Sequence, residues 1–229
     1  MRTDPSPPIS AYVFDAYGTL LDVHSATGRH TARLGDAAAA FSHTWRTKQL
    51  EYSWVSSLMQ RYRDFWALTE DALDFAMARH GIVDPALRAD LLSAYETLDA
   101  YPEVRATLAG LRAKGMRTAI LSNGSPAMLA SAVRAAGLAD LLDATLSVDT
   151  LRVFKPDPRV YAMVGQHLAV PDGTVSFQSS NAWDIAGADA YGFRTVWVNR
   201  TQQPPEYPAT DRARVVADLR ALLDRQGAP

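Results

Sequence analysis

The sequence predicts an α/β protein whose core is a parallel sheet flanked by helices, with an all-helical segment inserted after the first strand. From Tyr101 onward, short apolar runs alternate with segments of helical periodicity, which is typical of parallel sheets with crossover helices. Between residues 22 and 100, helical patterns follow one another without a convincing strand. We therefore expect a core domain of residues 1–21 and 101–229 and a helical cap of residues 22–100.

The composition narrows the classes of function. The 229 residues are 48% hydrophobic, and 23 basic against 25 acidic side chains give a net charge of −2. A near-neutral chain offers no electrostatic reason to bind nucleic acid or an anionic membrane. The absence of Cys excludes thiol nucleophiles, disulfides and thiolate metal sites. No run approaches the ~18 apolar residues of a membrane span, and residues 1–10 lack a secretory pattern. A cytoplasmic protein is therefore expected.

The first strand ends in an acid. The run Ala11-Tyr12-Val13-Phe14 has the apolar character of a strand buried on both faces, and Asp15 follows it directly. Ligands of open parallel sheets bind at the carboxyl ends of the strands. Asp15 is therefore a candidate site residue, although an Asp in this position also commonly caps a turn or helix.

Helices are predicted for residues 36–60, 65–80 and 85–100 of the cap. Asp36 can cap the alanine run that follows it, Gly81 can end the second helix, and Pro85 can begin the third.

In the core, helical and strand patterns alternate to the end of the chain. Helices are predicted at 102–114, 126–136, 159–168, 184–191 and 218–224, and strands at 116–121, 144–148, 174–178 and 193–198. Val215 and Val216 are a candidate edge strand, and residues 201–210, rich in Pro and Gln, form a predicted loop.

Four strand ends or adjoining loops carry polar side chains that this topology brings to one edge of the sheet. They are Asp15 and Thr19; Ser122 and Asn123; Lys155; and Ser179, Ser180, Asn181 and Asp184. Each group alone is ordinary turn chemistry, but together they favour a ligand site. An aspartate held ionised by a lysine can act as a covalent nucleophile. Ser122, Asn123 and helix-start amides can cradle an anion.

At these residues the sequence resembles the haloacid dehalogenase superfamily, whose core is a Rossmann-like fold. Asp15-Ala16-Tyr17-Gly18-Thr19, together with Ser179-Ser180-Asn181 and Asp184, is similar to its (S)-2-haloacid dehalogenase branch. The stretches around Trp45-Arg46 and Phe65-Trp66 match that branch as well. Tyr17 stands where the Mg²⁺-dependent phosphatases of the superfamily carry a second acid. The resemblance therefore implies a hydrolase of carbon–halide bonds that uses no metal or other cofactor.

The resemblance also implies a two-step reaction on a 2-haloalkanoate. Asp15 would attack the α-carbon of the L-enantiomer, form an ester and expel halide, and water would then release the D-2-hydroxy acid. By this analogy, each remaining candidate has a role. Hydrolysis of the ester would involve Thr19, Lys155, Asn181 and Asp184. The halide would be held by Arg46, Asn123 and Phe65, and the substrate would be contacted by Ser122, Ser179 and Ser180. The alkyl pocket would be lined by Tyr17, Leu50, Phe65 and Trp183. Tyr161 would orient Lys155 or Asp15, unless it is a core tyrosine.

Three other functions are compatible with parts of the sequence. A phosphatase of the same fold is disfavoured by Tyr17. Another hydrolase of the branch, such as one that opens azetidine-2-carboxylate, is not excluded by any residue. A non-catalytic binding scaffold would be expected to lack Asp15 or Lys155, and both are present.

The cap carries more large side chains than one helix face can bury. They are Trp45, Tyr52, Trp54, Leu58 and Tyr62. Members of the family are often homodimers through this region, so we expect a homodimer.

Overall fold

The computed structural model describes residues 7–224. Residues 1–6 and 225–229, the two ends of the predicted core domain, lie outside the described residues. Six strands form one sheet in the order β3-β2-β1-β4-β5-β6, and every neighbouring pair is parallel. The strands are β1 (Ala11–Phe14), β2 (Arg117–Ser122), β3 (Ala144–Ser147), β4 (Val175–Ser179), β5 (Arg194–Val198) and β6 (Arg214–Val216). The predicted α/β class and parallel sheet are confirmed.

The register of the sheet aligns the strand ends that carry the candidate residues. Phe14, the last residue of β1, lies opposite Ile120 of β2 and Gln178 of β4. The Asp15 N–H continues this ladder by donating to the Gln178 carbonyl at 2.9 Å. The carboxyl ends of β1, β2 and β4 therefore meet at one edge. Because β1 is fully buried between its neighbours, Asp15 is fixed at the centre of that edge.

Ten helices surround the sheet and fill the cap within the described chain. Those between β1 and β2 are α1 (Ser25–Gly28), α2 (Thr31–Leu34), α3 (Ala38–Leu58), α4 (Phe65–Arg79), α5 (Pro85–Glu96) and α6 (Val104–Ala113). Those that follow β2 are α7 (Pro126–Ala135), α8 (Pro158–Leu168), α9 (Ala182–Tyr191) and α10 (Pro208–Arg212). Among residues 7–224, every helix is too short or too polar to span a bilayer.

Several local expectations were wrong. Asp36 does not cap α3: it lies inside a 3₁₀ turn, Gly35–Ala37, whose backbone runs directly into the helix. The predicted loop at residues 201–210 ends in α10, which Pro208 begins. The predicted last helix is only a 3₁₀ turn, Leu219–Leu222. In that geometry residues three apart share a face, and Leu219 and Leu222 are both buried.

Two short chain segments connect the cap region to the core, and they pair with each other. Leu21 forms an isolated antiparallel bridge with Ala100. The Asp22 N–H donates to the Asp99 carbonyl at 2.8 Å, and the Tyr101 N–H donates to the Leu20 carbonyl at 3.0 Å. We call residues 20–22 and 99–101 the linker ladder. It lies where the sequence predicts the domain boundaries, but the division into two domains stays a prediction.

Asp64 and Asp36 provide a matched test of the helix starts in the cap. The Asp64 carboxylate accepts from the Trp66 and Ala67 amides at 2.9 and 3.1 Å, whereas Asp36 caps no helix. Asp64→Ala should lower the free energy of unfolding by about 1 kcal/mol, and Asp36→Ala should change it by less than about 0.5 kcal/mol. Urea denaturation measures both. Equal losses of unfolding free energy in the two variants would contradict the assignment of Asp64 as the residue that caps α4.

Candidate active site

The Asp15 carboxylate is held by donors from three separate loops. Lys155 Nζ donates to Oδ1 at 3.2 Å, while Asn181 Nδ2 and Thr19 Oγ1 donate to Oδ2 at 2.8 and 3.1 Å. Asp15 is only 5% exposed. A carboxylate this buried is stable as an anion only when charged or hydrogen-bonding groups replace water. The site therefore presents an oriented carboxylate at the end of β1.

Lys155 lies between two carboxylates and is fully buried. Its ammonium donates to Asp184 Oδ2 at 2.9 Å as well as to Asp15. Burial acts to lower the pKa of Lys155, but the charges of Asp15 and Asp184 outweigh it and raise the pKa above its usual value. The lysine is therefore a fixed cation. Its backbone N–H also donates to Asn123 Oδ1 at 3.0 Å, which ties the β2 loop to the same centre.

Tyr161 was expected to orient Lys155 or Asp15, but its hydroxyl binds Asp184. Its hydroxyl donates to Asp184 Oδ1 at 2.8 Å, and burial, followed by the nearby carboxylate of Asp184, raises the pKa of Tyr161 well above 10.0, so it stays a donor. Burial raises the pKa of Asp184, whereas Lys155 and the Tyr161 hydroxyl oppose that rise. Gly187 makes the contact possible, because a Cβ there would lie 2.4 Å from the Tyr161 hydroxyl.

Thr19 joins the first and fourth loops. Its hydroxyl oxygen accepts from the Ser180 N–H at 2.9 Å, which directs the hydroxyl proton toward Asp15. Ser180 Oγ donates to the Gly18 carbonyl at 2.7 Å, and Ser179 Oγ accepts from the Asn181 N–H at 3.1 Å. Both serines therefore support the loops that hold Asp15. Their direct contact with substrate stays a prediction.

The second loop contributes a free amide. Ser122 is fully buried and accepts from the Gly124 N–H at 3.1 Å. Asn123 uses its carbonyl oxygen for Lys155, and in the described chain its Nδ2 donates to no other residue. The first turn of α7 is capped by Ser125, which accepts from Met128 N. Of the anion cradle predicted here, the Asn123 amide and the Ser122 hydroxyl proton are thus donors for which the described chain shows no acceptor.

Arg46 reaches this centre from α3 in the cap. One of its terminal nitrogens donates to the Tyr17 carbonyl at 3.1 Å, and the other donates to Gln49 Oε1 at 2.8 Å. Gln49 is itself fixed by hydrogen bonds from its Nε2 to Thr69 Oγ1 at 2.7 Å and to Tyr95 Oη at 3.0 Å. Sequence reasoning missed Gln49, Thr69 and Tyr95 as supporting groups. Gln49 carries a signal, its position one helical turn after Arg46, but nothing in the sequence pairs it with Tyr95.

Aromatic side chains enclose the space beside Asp15. The Tyr17 ring stacks on Tyr95 with centroids 5.8 Å apart and lies 6.0 Å from Phe65. Gly124 lets Tyr17 approach the second loop, since a Cβ there would lie 2.8 Å from Tyr17 Cε2. The half-buried Trp183 meets Trp54 of the cap edge to face at 5.4 Å.

Leu50 is half-buried one turn after Arg46, so the two side chains share a helix face. Among the expected wall residues, the structure places Tyr17 and Phe65 in contact. The contact of Leu50 and Trp183 with substrate stays a prediction.

The donor set does not suit a divalent cation. Mg²⁺ requires clustered oxygen ligands, but the Lys155 ammonium lies between Asp15 and Asp184. Across residues 7–224, His, Cys, Asp and Glu side chains form no group of three or more that could hold a metal ion.

Comparison with known proteins shows close relatives along nearly the whole chain. The family model of haloacid dehalogenase-like hydrolases matches residues 9–192. The chain is 49% identical to (S)-2-haloacid dehalogenase 1 of Pseudomonas sp. (strain CBS-3), covering 94% of this chain and 95% of that protein. The crystal structure of a dehalogenase superposes with a TM-score of 0.93 at 46% identity, covering 96% and 98% of the two chains. The L-2-haloacid dehalogenase from Xanthobacter autotrophicus, solved with chloropropionic acid covalently bound, gives a TM-score of 0.85 at 37% identity, covering 96% and 100%.

Tyr161→Phe tests the support of Asp184. Because the hydroxyl lowers the pKa of Asp184, its loss should raise that pKa further and lower the free energy of unfolding by about 1.5–3 kcal/mol. Titration of carboxyl carbons by ¹³C NMR and urea denaturation at pH 7 measure the two effects. The half-buried Tyr52 gives the control, because Tyr52→Phe should change the free energy of unfolding by less than about 0.5 kcal/mol. An unchanged Asp184 titration in Tyr161→Phe would contradict this role.

Proposed function

The chain belongs to the haloacid dehalogenase-like hydrolases, and we propose that it hydrolyses L-2-haloalkanoic acids to D-2-hydroxyalkanoic acids. The observation that supports this most directly is the Asp15 carboxylate, buried and held by Lys155, Thr19 and Asn181. Its relatives are named for this activity, and in one of them chloropropionic acid is covalently bound. The proposed mechanism has an aspartyl ester as its intermediate.

In the first step, Asp15 Oδ1 attacks the α-carbon. Within the described chain Oδ2 accepts two hydrogen bonds and Oδ1 accepts only the one from Lys155. A carboxylate oxygen has two lone pairs, so Oδ1 retains one for the new C–O bond. The carbon–halogen bond breaks, and its electron pair leaves with the halide. Attack from the side opposite the halide inverts the configuration of the carbon.

Arg46 provides the positive charge that the leaving halide requires. Its guanidinium has five N–H donors in a fixed plane, and two of them are occupied by Tyr17 and Gln49. The remaining donors can bind the halide as its negative charge develops, and such preorganised donors stabilise the transition state. Asn123 Nδ2 is a second donor available for an anion, and Phe65 adds an apolar wall.

In the second step, water attacks the carbonyl carbon of the Asp15 ester. The developing oxyanion is Oδ2, which Asn181 and Thr19 already hold, while the Lys155 ammonium lies on Oδ1, the oxygen that leaves with the product. The bond from the Asp15 carbonyl carbon to the product oxygen breaks, one proton of the water passes to that oxygen and the other is released, which restores the Asp15 carboxylate and releases the hydroxy acid. This step does not touch the α-carbon, and the product therefore keeps the inverted configuration.

The cap of residues 22–100 is proposed to open for substrate entry. It crosses to the core at Arg46, at Tyr62, whose hydroxyl donates to Asp149 at 2.7 Å, and at Ser57, whose Oγ accepts from the Phe154 N–H at 3.0 Å. With Asp15 only 5% exposed, a substrate cannot reach the nucleophile unless some of these contacts part. A cytoplasmic location stays a prediction.

A homodimer is proposed, and of the residues that predicted it Leu58 is the one that carries the proposal. Trp45 is buried inside the cap and donates to the Thr69 carbonyl, so it cannot form part of a dimer surface. Tyr52, Trp54 and Tyr62 are half-buried. At the end of α3, however, Val55, Leu58 and Met59 are 42%, 83% and 59% exposed, and an exposed apolar patch favours association.

Leu58→Glu tests this patch. Light scattering of the unmodified chain at micromolar concentration should give twice the mass of one chain, and Leu58→Glu should give the monomer. Val83, which is 95% exposed outside the patch, supplies the matched control, because Val83→Glu should remain a dimer. A monomeric unmodified chain, or a dimeric Leu58→Glu variant, would count against the proposal.

Halide release from the two enantiomers of 2-chloropropionate tests the function. The L-enantiomer should yield chloride and D-lactate, whereas the D-enantiomer should react at least about 100-fold more slowly because its halogen would point away from Arg46. The rate should survive exhaustive dialysis against EDTA. Phosphate release that requires Mg²⁺, without halide release, would support the phosphatase alternative instead.

A further inference from the structure

Arg200 contacts the loop that follows Asp15 through the backbone of Thr19. It lies two residues after β5, its side chain is 16% exposed, and its guanidinium donates to the Thr19 carbonyl at 3.0 Å. The hydroxyl of the same Thr19 donates to Asp15 Oδ2. Thr19 is therefore fixed at two points, its hydroxyl on the nucleophile and its carbonyl on Arg200.

The same guanidinium also holds the second segment of the linker ladder. Its other terminal nitrogen lies 2.6 Å from Glu103 Oε1, and its central carbon lies 3.8 Å from the centre of the Tyr101 ring. Tyr101 in turn donates its N–H to the Leu20 carbonyl, one residue beyond Thr19. Glu103 is 10% exposed, so this ion pair is largely shielded from water and is worth more than a surface pair.

We propose that Arg200 is a positioning residue that locks Thr19, and through it the Asp15 carboxylate, to the segment that returns from the cap. When the cap moves, the core segments that adjoin residues 20–22 and 99–101 are pulled with it. Arg200 joins these two segments to the rigid end of β5, so the motion does not reach the nucleophile. The inference rests on the proposed dehalogenase function for its kinetic readout, although not for its structural one.

A charge and a fork of donors are both needed at this position. The carbonyl of Thr19, the carboxylate of Glu103 and the face of Tyr101 lie in three directions from one planar group. Arginine meets all three because one terminal nitrogen hydrogen-bonds the Thr19 carbonyl, the other forms an ion pair with Glu103, and the plane between them lies over the Tyr101 ring. Lysine carries the charge but concentrates it at one point. Arg200→Lys should therefore keep part of the function, which a role in bulk packing alone would not predict.

The first experiment compares steady-state and single-turnover kinetics on L-2-chloropropionate. Arg200→Ala should lower kcat and the rate of ester formation by about 10- to 100-fold, with KM within about threefold of the unmodified value. Arg200→Lys should lie between the two. Arg214, an exposed arginine that donates to the Ala221 carbonyl, provides the control, and Arg214→Ala should have unmodified kinetics. A kcat for Arg200→Ala within about twofold of the unmodified enzyme would overturn the proposal.

A double-mutant cycle with Thr19→Val tests whether Arg200 affects the activity through Thr19. If Arg200 acts through Thr19, the double variant should lose little more activity than Thr19→Val alone. Fully additive losses would overturn the proposal, since they would mean that Arg200 acts by another path.

Amide hydrogen exchange gives the structural readout, and it separates this inference from the function. Amides of residues 16–22 and 99–103 should exchange faster in Arg200→Lys and Arg200→Ala than in the unmodified chain, with no change in Arg214→Ala. Unchanged exchange in both Arg200 variants would overturn the inference even for an active enzyme. If the unmodified chain releases no halide, the proposed function fails, and the exchange result still decides the role of Arg200 in holding the loop.

Discussion

The buried ammonium of Lys155 is the interaction on which the site depends. It forms ion pairs with two carboxylates at once, 3.2 Å from Asp15 and 2.9 Å from Asp184. Two unpaired acids in this interior would be protonated or would force the loops apart. The lysine gives the buried Asp15 a charged partner and a fixed orientation, which suits a carboxylate proposed to act as a nucleophile. The remaining contacts of the centre, Tyr161 on Asp184 and Asn123 on the Lys155 backbone, keep this cation in place.

In the proposed mechanism the core supplies the nucleophile, and the predicted cap supplies the leaving-group site. Arg46 arrives on α3 and donates to the carbonyl of Tyr17, two residues beyond Asp15, so cap and core are joined beside the reacting atoms. This division has a physical advantage. Asp15 directly follows the buried strand β1, and Lys155 is tied to it by hydrogen bonds within the core, while Arg46, the group proposed to bind halide, is on the part proposed to move. Closure of the cap would bring Arg46 beside the Asp15–Lys155 pair only when substrate is enclosed.

The sequence predicted where the candidate site residues lie better than it predicted their partners. Asp15, Asn181 and Asp184 could be predicted because parallel strands deliver their carboxyl ends to one edge, a rule that needs no tertiary detail. The partner of Tyr161 could not be predicted, since it depends on how α8 packs against α9 across the missing side chain of Gly187. The failure at Asp36 has a similar cause: propensity favours a cap there, but the preceding 3₁₀ turn already provides a helical backbone.

The support of Arg46 and of Thr19 escaped prediction for a related reason. Tyr95 lies far along the chain from Gln49, and Arg200 lies 181 residues from Thr19. Such contacts are specified by the folded arrangement and leave no periodic signal in the sequence. Burial patterns predict elements, and the rules for parallel sheets predict where strand ends meet. Only the folded structure shows which side chains are hydrogen-bonded to each other.

The origin of the product oxygen tests the central claim most directly. A single turnover of L-2-chloropropionate in H₂¹⁸O, with enzyme in excess, separates attack by Asp15 from attack by water. The account predicts lactate that carries ¹⁶O and a peptide containing Asp15 that gains ¹⁸O, because the first product oxygen comes from the carboxylate. Lactate labelled with ¹⁸O, together with an unlabelled Asp15 peptide, would contradict the covalent mechanism and make Asp15 a general base.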